Sequence, residues 1–125
     1  MTETKNNYIE ERPWGKFESL RSADGYQVKI LTIKPGAKLS LQSHNRREEH
    51  WVVARGTAKV ISGGKEIIFK KSSHIFIPVR NKHRIENPGK EILEIIEVQI
   101  GDYLGEDDII RYEDLYRRDK KIEKY

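Results

Sequence analysis

Short alternating apolar segments, broken every few residues by turn chemistry, leave this chain few architectures. "YQVKILTI", "HWVVARG", "TAKVIS", "KEIIFK", "HIFIPV" and "ILEIIEVQI" are rich in β-branched residues and short, the signature of strands. Between them stand "SADG", "KPGA", "SGGK", "NKH" and "NPGK", which supply turns and loops. "SGGK" predicts a tight hairpin, its glycines providing positive φ angles. It is no phosphate-binding loop, because the upstream glycine and the following Ser or Thr are missing. Many short strands at near-regular spacing predict an all-β antiparallel sandwich or barrel. A short helix is expected only near the end, around "EDLYRRDKK".

With 125 residues the chain has room for one domain. Residues 1–11 and 119–125 are expected to be loose, leaving 12–118 as the folded unit. Hydrophobic residues are 36% and charged ones 35%, which suits a soluble protein with a charged surface. No apolar run approaches the roughly 18 residues of a membrane span, and "MTETKNNYIEERP" has no signal-peptide pattern. There are no cysteines, so disulfides, thiolate metal sites and a Cys nucleophile are excluded. A cytoplasmic protein is the expectation. The net charge of +4 arises from 24 basic and 20 acidic residues that are interspersed. This predicts a solvated mixed surface rather than a nucleic-acid partner, and a mild excess that suits a small phosphorylated substrate.

One stretch carries unusual chemistry: "PGAKLSLQSHNRREEHWVVARG". Gln42 and His44 are two apart, so on a strand they share a face. If the polar "NRRE" turns the chain back, Glu49 faces them across a hairpin. His83, in "IPVRNKHRIEN", lies on a third segment. Two imidazoles, one carboxylate and one amide oxygen can close around a metal ion. Taken alone, a His and a Glu on one strand are ordinarily a surface pair.

Spacing adds the second signal. Gly36, Gln42, His44, Glu49 and Gly56 are separated by five, one, four and six residues, which resembles the first motif of the cupin superfamily. That motif normally has His where Gln42 stands. Ser72, Pro78, His83 and Asn87, separated by five, four and three residues, resemble the second motif, with Ser72 and Arg80 in places usually held by glycine. "RPWGKFESL", "LSLQSHNRREEHW", "IPVRNKHRIENPG" and "GDYLGEDDIIRYEDLY" are similar to the type II mannose-6-phosphate isomerase domain. The likeness runs from about Arg12 to Arg118.

The resemblance implies a double-stranded β-helix, the cupin jelly roll. It also implies a divalent metal (Zn, Mn, Fe, Co or Ni) held by Gln42, His44, Glu49 and His83, and interconversion of mannose 6-phosphate and fructose 6-phosphate. Gln at position 42 is what this subfamily carries. The domain is often fused behind a guanylyltransferase. Nucleotidyl transfer would need a further α/β domain of roughly two hundred residues, which these 125 residues lack, so that activity is not expected of them. A homodimer is expected, since cupins commonly pair and open sheet edges need covering.

Aldose–ketose isomerisation needs a base that moves a proton between C1 and C2. Glu97 is the first candidate: in "LEIIEVQIG" it shares a face with Leu93, Ile95 and Gln99. The opposite register, with Ile92, Ile96, Val98 and Ile100 inside, would leave it solvated. Glu48 and His50 are the other candidates, with an outward-facing His50 as the bland alternative. For the phosphate, Arg47 comes first and Arg111 next, because Arg forks onto phosphate oxygens. Most of the remaining charges read as ordinary surface. Trp14 and Trp51 read as core or as walls of a sugar pocket. Two competing classes stay open on the same fold: a noncatalytic binding or accessory module for nucleotide-sugar synthesis, and a metal oxidoreductase such as a dioxygenase.

Overall fold

Turn residues and strand alternation account for most of the layout of the computed structural model, which describes residues 8–113. The strands are β1 (Tyr8–Arg12), β2 (Gly15–Ala23), β3 (Tyr26–Ile33), β4 (Leu41–His44), β5 (Arg47–Arg55) and β6 (Ala58–Ser62). They continue with β7 (Lys65–Phe69), β8 (His74–Ile77), β9 (His83–Glu86), β10 (Leu93–Gly101) and β11 (Ile109–Glu113). A single 3₁₀ turn, Glu106–Asp108, precedes β11. Two antiparallel sheets result, ordered β1-β2-β3-β10-β5-β8 and β11-β4-β9-β6-β7. Among the described residues no helix is long and apolar enough to cross a membrane.

The "SGGK" hairpin forms as its chemistry requires. Ser62 pairs with Lys65, and Gly63 and Gly64 take φ of 57° and 82°, the positive pair of a type I′ turn. Two sequence expectations change. Tyr8–Glu11, expected within a loose leader, belong to β1, which pairs along its whole length with β2. The hairpin expected between Gln42 and Glu49 is absent: β4 pairs with β9 and β11, while β5 lies in the other sheet. The chain crosses between sheets at Asn45 and Arg46, whose backbone N–H groups both donate to the Asp108 carboxylate, at 3.2 and 3.0 Å. The expected helix around Glu113–Lys121, apart from Glu113 itself, and the tail 119–125 lie outside the described residues.

The inward faces grade from apolar to polar along the strands. In register across β3, β10 and β5 lie Leu31, Ile95 and Val53, then Lys29, Glu97 and Trp51, then Gln27, Gln99 and Glu49. The apolar rows join Trp14, Phe17, Ile33, Val60, Ile77, Ile85 and Leu93 in one core. Each such large apolar side chain contributes about 1.5–3 kcal/mol by leaving water, so this end holds the sheets together. The polar rows then point into the opposite end of the same sandwich. A functional site belongs there.

Asn87 explains its place in the second motif structurally. Its amide donates to Ile33 O and Glu91 O, at 2.9 and 2.8 Å, and accepts from Gly89 N, pinning the "NPGK" loop. Ser72 and Arg80 keep the left-handed backbone, with φ of 77° and 64°, although neither is glycine. Such a conformation costs an L-residue about 1–2 kcal/mol, partly offset by the larger unfolded-state entropy of glycine. Ser72→Gly and Arg80→Gly are therefore expected to stabilise the fold by about 0.5–1 kcal/mol each. Denaturant unfolding checks this: an unchanged or lower midpoint would show that side-chain contacts outweigh the strain.

Candidate metal centre

Three strands from two sheets bring the site together. His44 ends β4, Glu49 lies on β5 and His83 opens β9; all three are buried, and one donor atom from each lies within 4.8 Å of the others. Glu49 meets His44 across the interior, because the crossing at Asn45 and Arg46 turns the next inward positions to face β4. Gln42 stands directly beside His83 in the β4–β9 register, so the two side chains share the inner face. The Gln42 amide donates to Ser40 Oγ at 3.0 Å, which orients its nitrogen and spends it. Gln42, Glu49 and His83 line one pocket, and His44 adjoins them, its Nδ1 3.5 Å from Glu49 Oε2.

Tautomers follow from the partners. His83 Nδ1 donates to Asn81 O at 2.8 Å, so its lone pair is on Nε2. A guanidinium only donates, so Arg47 Nη2, at 2.9 Å from His44 Nε2, marks that nitrogen as lone-pair bearing. Burial pushes the His44 pKa down to about 2, helped by Arg47 and His83. Burial likewise takes His83 down to about 4, against the opposing pull of Asn81 and Glu97. Both rings are thus neutral near pH 7, the state a metal requires.

Two neutral imidazoles, a carboxylate and an amide oxygen suit a divalent ion of the zinc, manganese, iron, cobalt or nickel class. Ligands around a common ion at about 2.0–2.2 Å span at most about 4.4 Å, so small rotations close the cluster. Arg47 is the competitor: its Nε donates to Glu49 Oε2 at 2.9 Å while Nη2 holds His44. An ion would take the lone pairs that Arg47 occupies. Arg47 Nη1 is buried with no hydrogen-bond partner among the described residues.

Glu97 faces inward, settling which face of β10 is buried. Burial raises its pKa to about 7, Glu49 adds to the rise, and Lys29 and Arg47 partly oppose it. A relay holds it: Gln27 Nε2 donates to Gln99 Oε1 at 2.6 Å, and Gln99 Nε2 donates to Glu97 Oε2 at 2.7 Å. Glu48 and His50 lie elsewhere. Strand alternation sends them to the outer face of β5, opposite Glu49, where His50 Nε2 and Glu48 Oε2 are 2.7 Å apart. Arg47 is not at a hairpin tip but buried among the ligands, while Arg111 lines the pocket from β11. Trp14 and Trp51 are both buried and both line it, and Trp51 Nε1 donates to Glu49 Oε1 at 3.0 Å.

Lys29 was missed by sequence reasoning. It is 6% exposed, lies 4.4 Å from the centre of the Phe17 ring, and approaches Glu106 at 3.8 Å. Its signal was a cation two residues before Leu31 and four before Ile33, on the face that goes inside. Arg12 and Arg84 also line the pocket, giving it a cationic rim.

Opposed titrations fix how the metal-free chain responds to acid. His44 and His83 bind protons more weakly folded than unfolded, so their stabilising effect is full above pH 6.5 and is lost as pH falls. Glu97 binds its proton more tightly folded, so its effect is full below pH 4.5 and is lost as pH rises through about 7. Near pH 5.5 two histidines outweigh one carboxyl. Stability should drop from pH 6.5 towards 5 by on the order of 1 kcal/mol per pH unit. Melting of the metal-free chain at pH 7 and pH 5.5 checks it, and equal midpoints would contradict it.

Comparison with known proteins gives the chain's family and fold. The sequence profile of the family described as "Mannose-6-phosphate isomerase C-terminal" matches residues 2–114. The alginate biosynthesis protein AlgA of Pseudomonas putida is 50% identical over 117 residues, covering 94% of this chain and 24% of that protein. A mannose-1-phosphate guanylyltransferase of Salmonella montevideo is 50% identical over 107 residues, covering 86% and 22%. The chain thus spans about a quarter of the length of these curated relatives. An RmlC-like cupin of Shewanella frigidimarina superposes with a TM-score of 0.69 at 19% identity, over 81% of this chain and 87% of that one, which shows the cupin fold. With every described residue inside the profile match, the chain belongs to the mannose-6-phosphate isomerase C-terminal family.

Proposed function

We propose that this chain is a metal-dependent isomerase interconverting mannose 6-phosphate and fructose 6-phosphate. The observation that carries the reading is the pairing in one pocket of a three-residue ligand cluster with Glu97, a buried carboxyl poised near neutrality. Gln42, His44, Glu49 and His83 would hold the ion. When bound, a divalent ion supplies Lewis acidity, polarising the substrate carbonyl and offsetting the charge of an enediolate. Glu97 takes the proton from C2 and returns it to C1, and a carboxyl with pKa near the working pH can do both. The Gln27–Gln99 relay keeps Glu97 aimed. Arg47 offers its unpaired Nη1 to an anionic oxygen, and Arg111 and Lys29 add positive charge. Buried Trp14 and Trp51 form walls that exclude water.

A second reading has its own observation. Arg47 neutralises Glu49 and engages His44, contacts that a noncatalytic sugar-binding or accessory module for nucleotide-sugar synthesis would keep. Purified, metal-loaded chain incubated with mannose 6-phosphate in deuterated water separates the two. Formation of fructose 6-phosphate is expected, with label to the extent that the carried proton exchanges with solvent. Neither conversion nor exchange would leave the binding module. A cytoplasmic homodimer, covering the open sheet edges, completes the reading; a monomer by light scattering at every concentration would contradict the dimer.

A further inference from the structure

Outside the pocket, one cluster of metal-competent side chains stands on the outer face of the six-stranded sheet. His50 on β5 and His74 on the neighbouring β8 are diagonal neighbours, since His50 pairs with Phe76 and Val52 pairs with His74. Their rings are stacked at 8° with centroids 5.5 Å apart, and His50 Nδ1 lies 3.3 Å from His74 Nε2. On its other side, His50 Nε2 is 2.7 Å from Glu48 Oε2. Phe76 packs against His50 with ring centroids 5.0 Å apart and limits its rotation.

We propose that His50 and His74 form a second, surface metal site for a borderline cation such as Zn²⁺ or Ni²⁺. The distance argues for it. Two nitrogens about 2.0–2.1 Å from a tetrahedral ion lie about 3.3–3.4 Å apart, and this pair already does. The tautomer argues for it too. Glu48 accepts the proton of His50 Nε2, which leaves the lone pair on Nδ1, the atom that accepts from His74 Nε2–H; an ion entering between the two nitrogens takes the place of that proton, His74 then carrying its own on Nδ1. A carboxylate on the far nitrogen of a ligating imidazole is the usual outer support of such ligands. Both histidines sit on strands, so the pair is held by paired backbone rather than by a loop. Each supplies one ligand, and the remaining positions go to water or a small anion. The site is exposed and has two protein ligands, so it binds more weakly than the buried cluster. It lies on the opposite face of β5 from Glu49, and the two centres load independently.

The test is titration of the metal-free 125-residue chain with Zn²⁺ against a chromogenic chelator. Wild type should take up a tight and a weaker equivalent. His74→Ala should lose the weaker one and keep the tight one, and Glu48→Gln should weaken it by about tenfold. His83→Ala should do the reverse, losing the tight equivalent and keeping the weaker one. A weaker equivalent that survives His74→Ala, or a wild type whose single equivalent is lost only with His83→Ala, overturns the proposal. A single equivalent lost with His74→Ala upholds it and defeats the buried metal reading instead. His74 is exposed, and His74→Gln repeats the measurement if alanine impairs folding.

Discussion

Replacing His83 with alanine should remove the buried metal equivalent and, with it, all measurable turnover of mannose 6-phosphate. The side chain is 3% exposed, and its lone pair on Nε2 is fixed by the bond from Nδ1 to Asn81 O. Alanine deletes one of two imidazole ligands, leaving the His44 imidazole, a carboxylate and an amide, a set too sparse to hold a zinc-class ion against Arg47. Arg47 then faces no competition for Glu49 and His44, which closes the site around itself. Metal content and rate are measured together on protein whose melting shows it folded. Turnover persisting in a metal-free variant would sink the metal-dependent reading.

Glu97→Gln should separate chemistry from binding. The amide is isosteric with a protonated carboxyl, the state burial already favours, so the fold should tolerate it. It also removes the proximity of a second acid to Glu49, so metal affinity should hold or improve. What it cannot do is accept a carbon-bound proton. The rate should fall by about two to four orders of magnitude, with KM for the sugar phosphate little changed. A variant that turns over normally would make Glu97 a structural acid and leave the proton to another group. Glu48 and His50 would not replace it, since both project from the outer face.

Much of this was legible in the sequence because strand spacing is a rigid code. Gln42, His44, Glu49 and His83 could be grouped from two motifs, and β3 begins and ends where "YQVKILTI" does. The face of β10 was not legible, because both registers present aliphatic residues. The choice falls to pairing: only one register sets Glu97 beside Lys29 and Gln99 beside Gln27, so that inward polar groups find partners. The hairpin expectation failed for a related reason. A polar turn looks the same whether it closes a hairpin or carries the chain to the facing sheet, and here Asp108, more than sixty residues away in sequence, clamps the crossing. The outer His50–His74 pair depends on β8 lying beside β5, a fact of topology that no local pattern carries.

Strand β5 carries one candidate centre on each face, and this bears on how such a chain can change over evolutionary time. Substitutions can tune Arg47 and Glu49 without touching Glu48 and His50, because neighbouring residues answer to different surroundings. Length changes have no such freedom. A one-residue deletion ahead of Glu49 would exchange the two faces, sending His50 and Glu48 into the pocket and Glu49 and Trp51 to solvent. Both centres would vanish in a single step. Descendants of this chain can therefore drift in the chemistry of β5, while insertions and deletions are confined to its flanking turns.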